Sequence, residues 1–580
     1  SNLMNANSLK FFCLGVTLGL ALSVSARIEL HSLFGDNMIL QRDASNSLWG
    51  WGQSGGTVEV KPSWGSTVKT KVDEKGKWVV LLNTPGPGTG HGLIISSGRD
   101  VVKIKNVAVG EVWLCAGQSN MGFALNMMFT GEDDAPKAKY PDYRIYKSSR
   151  EHWHEPRDRS MDRLAKWKPC TPESAAEASA VSYYFGQKLH LALGIPVGII
   201  IQAYAGTPIE GWMPKEIQMN DPRTMAFTKD MDEKSNRGGN GAAQRKAALA
   251  AYQKELAAYN ARADAGDIMK NKVRKIGPPF ILRPPNMGHQ YPSNIYNAMI
   301  HPVVPYGIRG MVWYQGERNS KHVSQAFHYR NQLPQMISHY RSIWHNGSSG
   351  GVSDNFPVFI TQLPSWKAPQ AKPVEGLESP WVVNRESMLE ATRSCINVDL
   401  AVSIDTGSEI NLHPRNKKPI GIRHAYLALA KVYGKNIVAH GPFYRSYHLS
   451  GNKVILSFDS VGSGLISGRK GKLDSFAIAG KDHKWEWADA EIRGATVVVS
   501  SPKVPNPVAV RYAWAMNPSR RNLLYNKEGL PTSPFRTDDW PLYDSKNDKE
   551  VMITKPVIDL KDKQAQKRAA TDWPRPEMTQ

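Results

Sequence analysis

Between residues 27 and 107, apolar positions come in short, partly alternating runs ("LWGWG", "TVEVK", "KWVVLL", "GLIIS", "VVKIKNV") parted by Gly, Ser, Pro and Asn. Strands of that length and spacing predict a small β-sandwich. The pattern then changes. Continuous apolar runs ("EVWLCA", "VGIII", "GMVWY", "PVFITQL", "LAVSI") alternate with segments of helical periodicity at 176–193, 325–344 and 419–433. Runs apolar at every position read as strands buried on both faces, and their alternation with helices predicts an α/β domain with a parallel sheet over 108–438. Pro334, inside the second helical pattern, is expected to kink or divide it. The stretch "GAAQRKAALAAYQKELAAYNARA" is rich in strong helix formers, so a helical insertion is predicted at about 220–275. Period-two runs return after 439 ("NKVILSF", "FAIAG", "ATVVVS", "PVAVRYAW"), predicting a C-terminal β-rich domain over 439–544 and then a charged tail over 545–580.

Composition narrows the possibilities. The 580 residues are 41% hydrophobic and 22% charged, which fits several folded domains rather than a disordered chain. The net charge of +21 favours anionic partners, but Lys and Arg are dispersed rather than gathered in one stripe, which argues against nucleic-acid binding. Lys10, the apolar run 11–24 and the small residues Val24-Ser25-Ala26 read as a secretory leader over 1–26. Met4 is its expected start, with Ser1 to Leu3 read as residues ahead of it, and a secreted or periplasmic protein is expected. The run is shorter than the roughly 20 residues of a membrane span, and no later segment is long and apolar enough. Of the four cysteines, Cys13 falls in the leader, and Cys115, Cys170 and Cys395 show neither a disulfide framework nor zinc spacing. No metal or organic cofactor is expected.

In open α/β sheets, ligands bind beyond the carboxyl ends of the strands. Ser119 follows one apolar run in "GEVWLCAGQSNMGF"; Gly206, Gln315 and Gln362 follow others, and Asp405 and His413 lie past "LAVSI". A serine, a histidine and several N–H donors on one rim are the parts of acyl transfer: nucleophile, base and oxyanion donors. The sharp elbow G-x-S-x-G is absent, because Met121 stands where the second Gly would be. Cys115, inside its apolar run, reads as a buried inert thiol.

"GQSNM" resembles the first block of the SGNH (GDSL-like) hydrolases, specifically the sialate O-acetylesterase family of carbohydrate esterases. "LFGDNMILQR" (33–42) is similar to that family's N-terminal signature. "PVGIIIQAYAGTPIEGWM" (196–213), "PSNIYNAMIHPVVPYGIRGMVWYQGERN" (292–319) and "IDTGSEINLHPRNKKPIGIRHA" (404–425) resemble its second, third and fourth blocks, in order. The resemblance implies a flavodoxin-like three-layer SGNH core. It makes Ser119 the nucleophile and His413 its general base, and puts the backbone N–H groups of Ser119 and Gly206 in the oxyanion hole. Gln315 is the first choice for a further oxyanion amide and Asn319 the second; Glu317 fixes the loop or accepts a substrate hydroxyl. The fourth block departs from the pattern: Ile410 and Asn411 stand where relatives carry an Asp before the His. Glu409, Asp405 and Asn411 are the candidates for a third member, and a Ser-His dyad stays open. The implied activity is a serine carboxylesterase acting on O-acetylated glycans, sialic acids foremost. Acetylxylan is the alternative substrate, and a non-catalytic glycan-binding protein on a decayed esterase scaffold is the alternative of another kind.

Overall fold

The computed structural model describes residues 27–161, 164–236, 242–264, 288–375, 379–519, 521–543 and 576–580, with single residues at 546, 548, 550 and 564. The expected leader and most of the charged tail lie outside the described residues.

The parallel sheet is built from strands β1 (Asp100–Gly117), β2 (Tyr140–Lys147), β3 (Trp167–Cys170), β4 (Val197–Ala203), β5 (Gly310–Tyr314), β6 (Val358–Thr361) and β7 (Val398–Ala401). They lie in the order β3-β2-β4-β1-β5-β6-β7, all parallel except β3, which pairs antiparallel to β2. The chain places β4 on one side of β1 and then crosses to β5 on the other. The carboxyl end of β1 is therefore at the switch point, where such sheets bind ligands.

β1 is also the bridge to the N-terminal strands. Its first half pairs antiparallel with Gly88–Ser97, and Ala108–Gly110 pairs in parallel with Ile39–Gln41. From Glu111 onward it pairs with β4. Burial along it alternates at first and becomes continuous from Val107. The boundary expected between 107 and 108 thus falls inside one strand. Buried Glu111 clasps the junction, accepting from Arg42 at 2.5 Å and from Arg309 at 2.7 Å.

Alternate residues of β1 face different cores, as strand geometry requires. Trp113 and Cys115 pack with residues of α1 (Ala180–Leu193) and α6 (Lys418–Lys431), including Phe185 and Leu427. Val112 and Leu114 join a core with residues of α4 (Val323–Gly347) and α5 (Pro380–Ser394), including Met336 and Trp381. α4 runs unbroken through Pro334. It is not divided there. The predicted insertion contains two helices, α2 (Pro222–Asn236) and α3 (Ala242–Asp264), and Tyr252 and Leu256 of α3 pack with Trp153 and Ala298. The end of the predicted stretch, 265–275, lies outside the described residues.

Beyond residue 442 the elements are antiparallel. One four-stranded sheet holds Phe443–Ser450, Lys453–Asp459, Thr496–Ser500 and Asp489–Arg493; a second holds Trp485–Trp487, Phe476–Ala479, Ala509–Tyr512 and Phe535–Arg536. They are anchored to the parallel sheet through Arg385, whose guanidinium donates to the carbonyls of Leu363, Pro364, Ala515 and Met516. Among the described residues, no helix is long and apolar enough to cross a membrane, and no group of His, Cys, Asp and Glu could hold a metal ion.

Candidate active site

β1 ends at Gly117, whose φ is +150° and where a Cβ would fall 2.0 Å from the carbonyl oxygen of Tyr314. Glycine alone lets β1 stay paired with β5 while the chain swings outward. Gln118 is extended, and Ser119 opens a single helical turn, Ser119–Gly122. The turn is held by its neighbours: Oε1 of Gln118 accepts from the backbone N–H groups of Gly316 and Arg318, at 3.4 and 3.3 Å.

His413 reaches the same point from the loop after β7. Its Nε2 lies 2.8 Å from Oγ of Ser119. Two contacts fix the imidazole: its own backbone N–H donates to Oδ1 of Asn411 at 2.9 Å, and its ring stacks on Phe123 at 4.5 Å between centroids. Burial, and secondarily the Lys417 cation, push His413 down to about 4. At neutral pH the ring is therefore uncharged. Nε2 is then a lone-pair acceptor for the Ser119 hydroxyl, and the ring proton sits on Nδ1. Nδ1 has no hydrogen-bond partner among the described residues.

Gly206 follows β4 with φ +71°, and its carbonyl accepts from Nε2 of Gln290 at 2.9 Å. Among the described residues, no hydrogen bond engages the backbone N–H of Ser119 or Gly206. Both donors remain open.

The two side-chain amides expected near an oxyanion are turned elsewhere. Gln315 gives Nε2 to the Thr207 carbonyl and to Oδ1 of Asn319, and its Oε1 accepts from Tyr329. Asn319 gives Nδ2 to Glu210 and accepts from the Ile209 N–H. Both sit under the loop and join the ends of β4 and β5. The physical reason is saturation: each is fully buried, and its polar atoms are consumed by partners a buried amide must find.

The candidate third members divide similarly. Asp405 is buried in a bidentate pair with Arg423, both contacts at 2.7 Å, and accepts from Tyr525 at 3.2 Å. Its lone pairs are spent on the anchor of the C-terminal strands. Asn411 meets His413 through the backbone, not the ring. Glu409 is half-buried four positions before His413, and the ring's contacts run to Ser119 and Phe123 instead.

Sequence reasoning missed a buried relay behind the serine. Asn120 donates Nδ2 to Oε1 of Glu317 at 2.5 Å and accepts from Nζ of Lys417 at 2.5 Å. Nδ2 also points to the Leu412 carbonyl at 3.3 Å, tying the turn to the residue before His413. Lys417 is 1% exposed and its ammonium sits 5.2 Å from the centre of the Tyr314 ring. Burial pulls Lys417 down to about 7 and pushes the Glu317 carboxyl up, each opposed by the other's charge. A lysine in "HPRNK" carries no mark of this, because lysines are rarely fully buried. Cys115 is buried and free, its thiol pushed up to about 12 by burial, which leaves it inert at neutral pH.

No family model matches the chain. It is 25% identical to the sialate O-acetylesterase of Mus musculus over 556 residues, spanning 90% of this chain and 98% of that protein. It is 24% identical to the sialate O-acetylesterase of Homo sapiens, over 90% of this chain and 96% of the relative. The crystal structure of a carbohydrate acetylesterase from Xanthomonas citri superposes with a TM-score of 0.72 at 30% identity, covering 88% of this chain and all of that one. With an ester-hydrolase relative matched along its whole length, the chain belongs to the sialate O-acetylesterase family and is a carboxylic ester hydrolase.

Proposed function

We propose that this esterase removes O-acetyl groups from sugars, O-acetylated sialic acids first among them, through an acetyl ester on Ser119. The observation that carries the reading is the 2.8 Å contact from the Ser119 hydroxyl to an imidazole kept neutral by burial. His413 takes the Ser119 proton on Nε2 as Oγ attacks the acetyl carbonyl. The carbonyl oxygen becomes an oxyanion and is received by the open N–H groups of Ser119 and Gly206. As the carbon–oxygen bond to the sugar breaks, the imidazolium returns its proton to the departing alcohol. Water then repeats the sequence on the acetyl ester, releasing acetate and restoring Ser119. In this scheme Ser119 and His413 act as a dyad. The stack on Phe123 and the Asn411 bond orient the ring where a carboxylate would otherwise do so.

The wider architecture belongs to the same proposal. Without the β2–β3 pair, the order β4-β1-β5-β6-β7 is the flavodoxin-like 2-1-3-4-5, which supports an SGNH core over about 108–438 between two β-rich domains. The apolar leader pattern at 1–26 supports action outside the cytoplasm. The names of the relatives support acetylated glycans as substrates.

Acetate release from an O-acetylated sialoglycan and from acetylated xylan, by wild type and Ser119→Ala, tests this. We expect turnover on the sialoglycan, less on xylan, and a loss of about 10⁴-fold or more in the variant. An active Ser119→Ala enzyme, or a clear preference for xylan, overturns the proposal.

A further inference from the structure

Arg318 stands at the rim of the site and forms no ion pair among the described residues. Its backbone N–H lies 3.3 Å from Oε1 of Gln118, the residue before Ser119. Its side chain turns toward the other side of the site: Nη2 is 3.4 Å from Oε1 of Gln290, whose Nε2 holds the Gly206 carbonyl at 2.9 Å. One residue thus spans from the neighbour of the serine to the neighbour of Gly206. It rises from the end of β5, adjacent to β1, and paired strands are only about 4.8 Å apart.

Several other buried arginines among the described residues meet a carboxylate. Arg423 takes Asp405, Arg511 takes Asp538, and Arg309 takes Glu111. Arg385, lacking a carboxylate, gives its donors to four carbonyls. Arg318 has five N–H donors and, among the described residues, one long contact. The carboxylates that act on it do so across distance and are engaged elsewhere. Glu210 accepts from Asn319 and Gln332, each at 2.9 Å, and Glu550 pairs with Lys321 at 3.3 Å. A half-buried guanidinium, partly stripped of water and without a paired carboxylate among the described residues, is poised for an anion that arrives with the substrate. Its planar fork matches a carboxylate with two parallel hydrogen bonds, which a lysine cannot reproduce.

We propose that Arg318 is a specificity-determining residue that takes the carboxylate of an acidic sugar while the acetyl group of that sugar lies between Ser119 and Gly206. This rests on the deacetylation of sugars proposed above and adds to it the feature by which an acidic sugar is told from a neutral one.

The test compares an O-acetylated sialic acid with its carboxyl methyl ester, for wild type, Arg318→Gln and Arg318→Lys, as the ratio of kcat/KM between the two substrates. Wild type should favour the free acid at least tenfold, mainly through KM. Arg318→Gln should bring the ratio near one, and Arg318→Lys should keep part of it, because the charge remains and the fork does not. A wild type that treats the substrates alike overturns the role of Arg318 and leaves sugar deacetylation standing. An unchanged ratio in Arg318→Gln, or an equal loss on both substrates, overturns it too. If aryl acetate is hydrolysed and neither sugar is, the reading beneath it has failed as well.

Discussion

Two charge pairs are buried beyond strand ends in this molecule, and they are built differently. Past β7, Asp405 and Arg423 close on each other directly, with two contacts of 2.7 Å. Glu317, past β5, and Lys417, on the loop after β7, are kept apart by Asn120, which bonds both. The first pair cancels within itself and adds Tyr525 from the C-terminal strands, so its work is to hold one part of the fold to another. In the second the charges are separated across the residue next to Ser119, and the Lys417 field reaches His413. A closed pair stabilises geometry. A separated pair also sets the electrostatics of the site between its ends.

Removing a cation from each pair should sharpen that contrast most. Lys417→Met strands the Glu317 carboxylate and Arg423→Met strands Asp405, so each should cost about 3–5 kcal/mol of stability by thermal unfolding. Only Lys417→Met should move the pH profile of aryl acetate hydrolysis. His413 is held down to about 4 by burial first and Lys417 second. Removing the cation makes the imidazolium less costly, so the pKa rises part of the way toward the ordinary value. The acidic limb of kcat/KM should climb with it, meaning that activity fails at a higher pH as the solution is acidified. Lys417→Met/Glu317→Gln should recover much of the stability and keep the shifted limb. A limb that moves equally in Arg423→Met would erase the distinction between the pairs.

A smaller effect separates catalytic from anchoring carboxylates. Asp405→Asn and Glu409→Gln should each cost less than about tenfold in kcat per folded enzyme, against about 10⁴-fold for loss of an orienting acid in a serine-protease triad. A folding-independent collapse at either position would end the dyad reading.

The smallest expected effect is that of salt. Attraction between a basic protein and a sialylated polymer weakens as the screening length falls below about 8–10 Å. Rising ionic strength should therefore lower kcat/KM on acetylated mucin severalfold and leave aryl acetate hydrolysis nearly flat. Identical salt curves would disconnect the basicity from the substrate.

These contrasts show what the sequence can carry. Runs such as "VWLCA" and "GMVWY" were legible as strands because every position is apolar, and β1 and β5 lie side by side as such runs should. The junction at 107–108 was not legible, since a strand that passes from a half-exposed to a buried setting changes its pattern without ending. Ser119 and His413, 294 positions apart, were readable as a pair through their blocks, and the fold brings them to 2.8 Å. Gln315 and Asn319 were read from the third block and, for Gln315, from its place at a strand end. Sequence shows that an amide stands at a strand end, but not that Tyr329 and Glu210 already hold it. Lys417 and Arg318 lacked any signal, because burial and the lack of a paired carboxylate among the described residues are properties of the folded surroundings.

The central claim is that Ser119 carries the acetyl group in turnover, and trapping it is the most direct measurement. Wild-type enzyme mixed with an aryl acetate, quenched in acid within the first turnover and mapped by peptide mass spectrometry should carry one acetyl group on Ser119. His413→Ala should show it forming far more slowly, and Ser119→Ala should show none. An acetyl group on another residue, or a wild-type burst of acetylation undiminished in Ser119→Ala, would contradict the account.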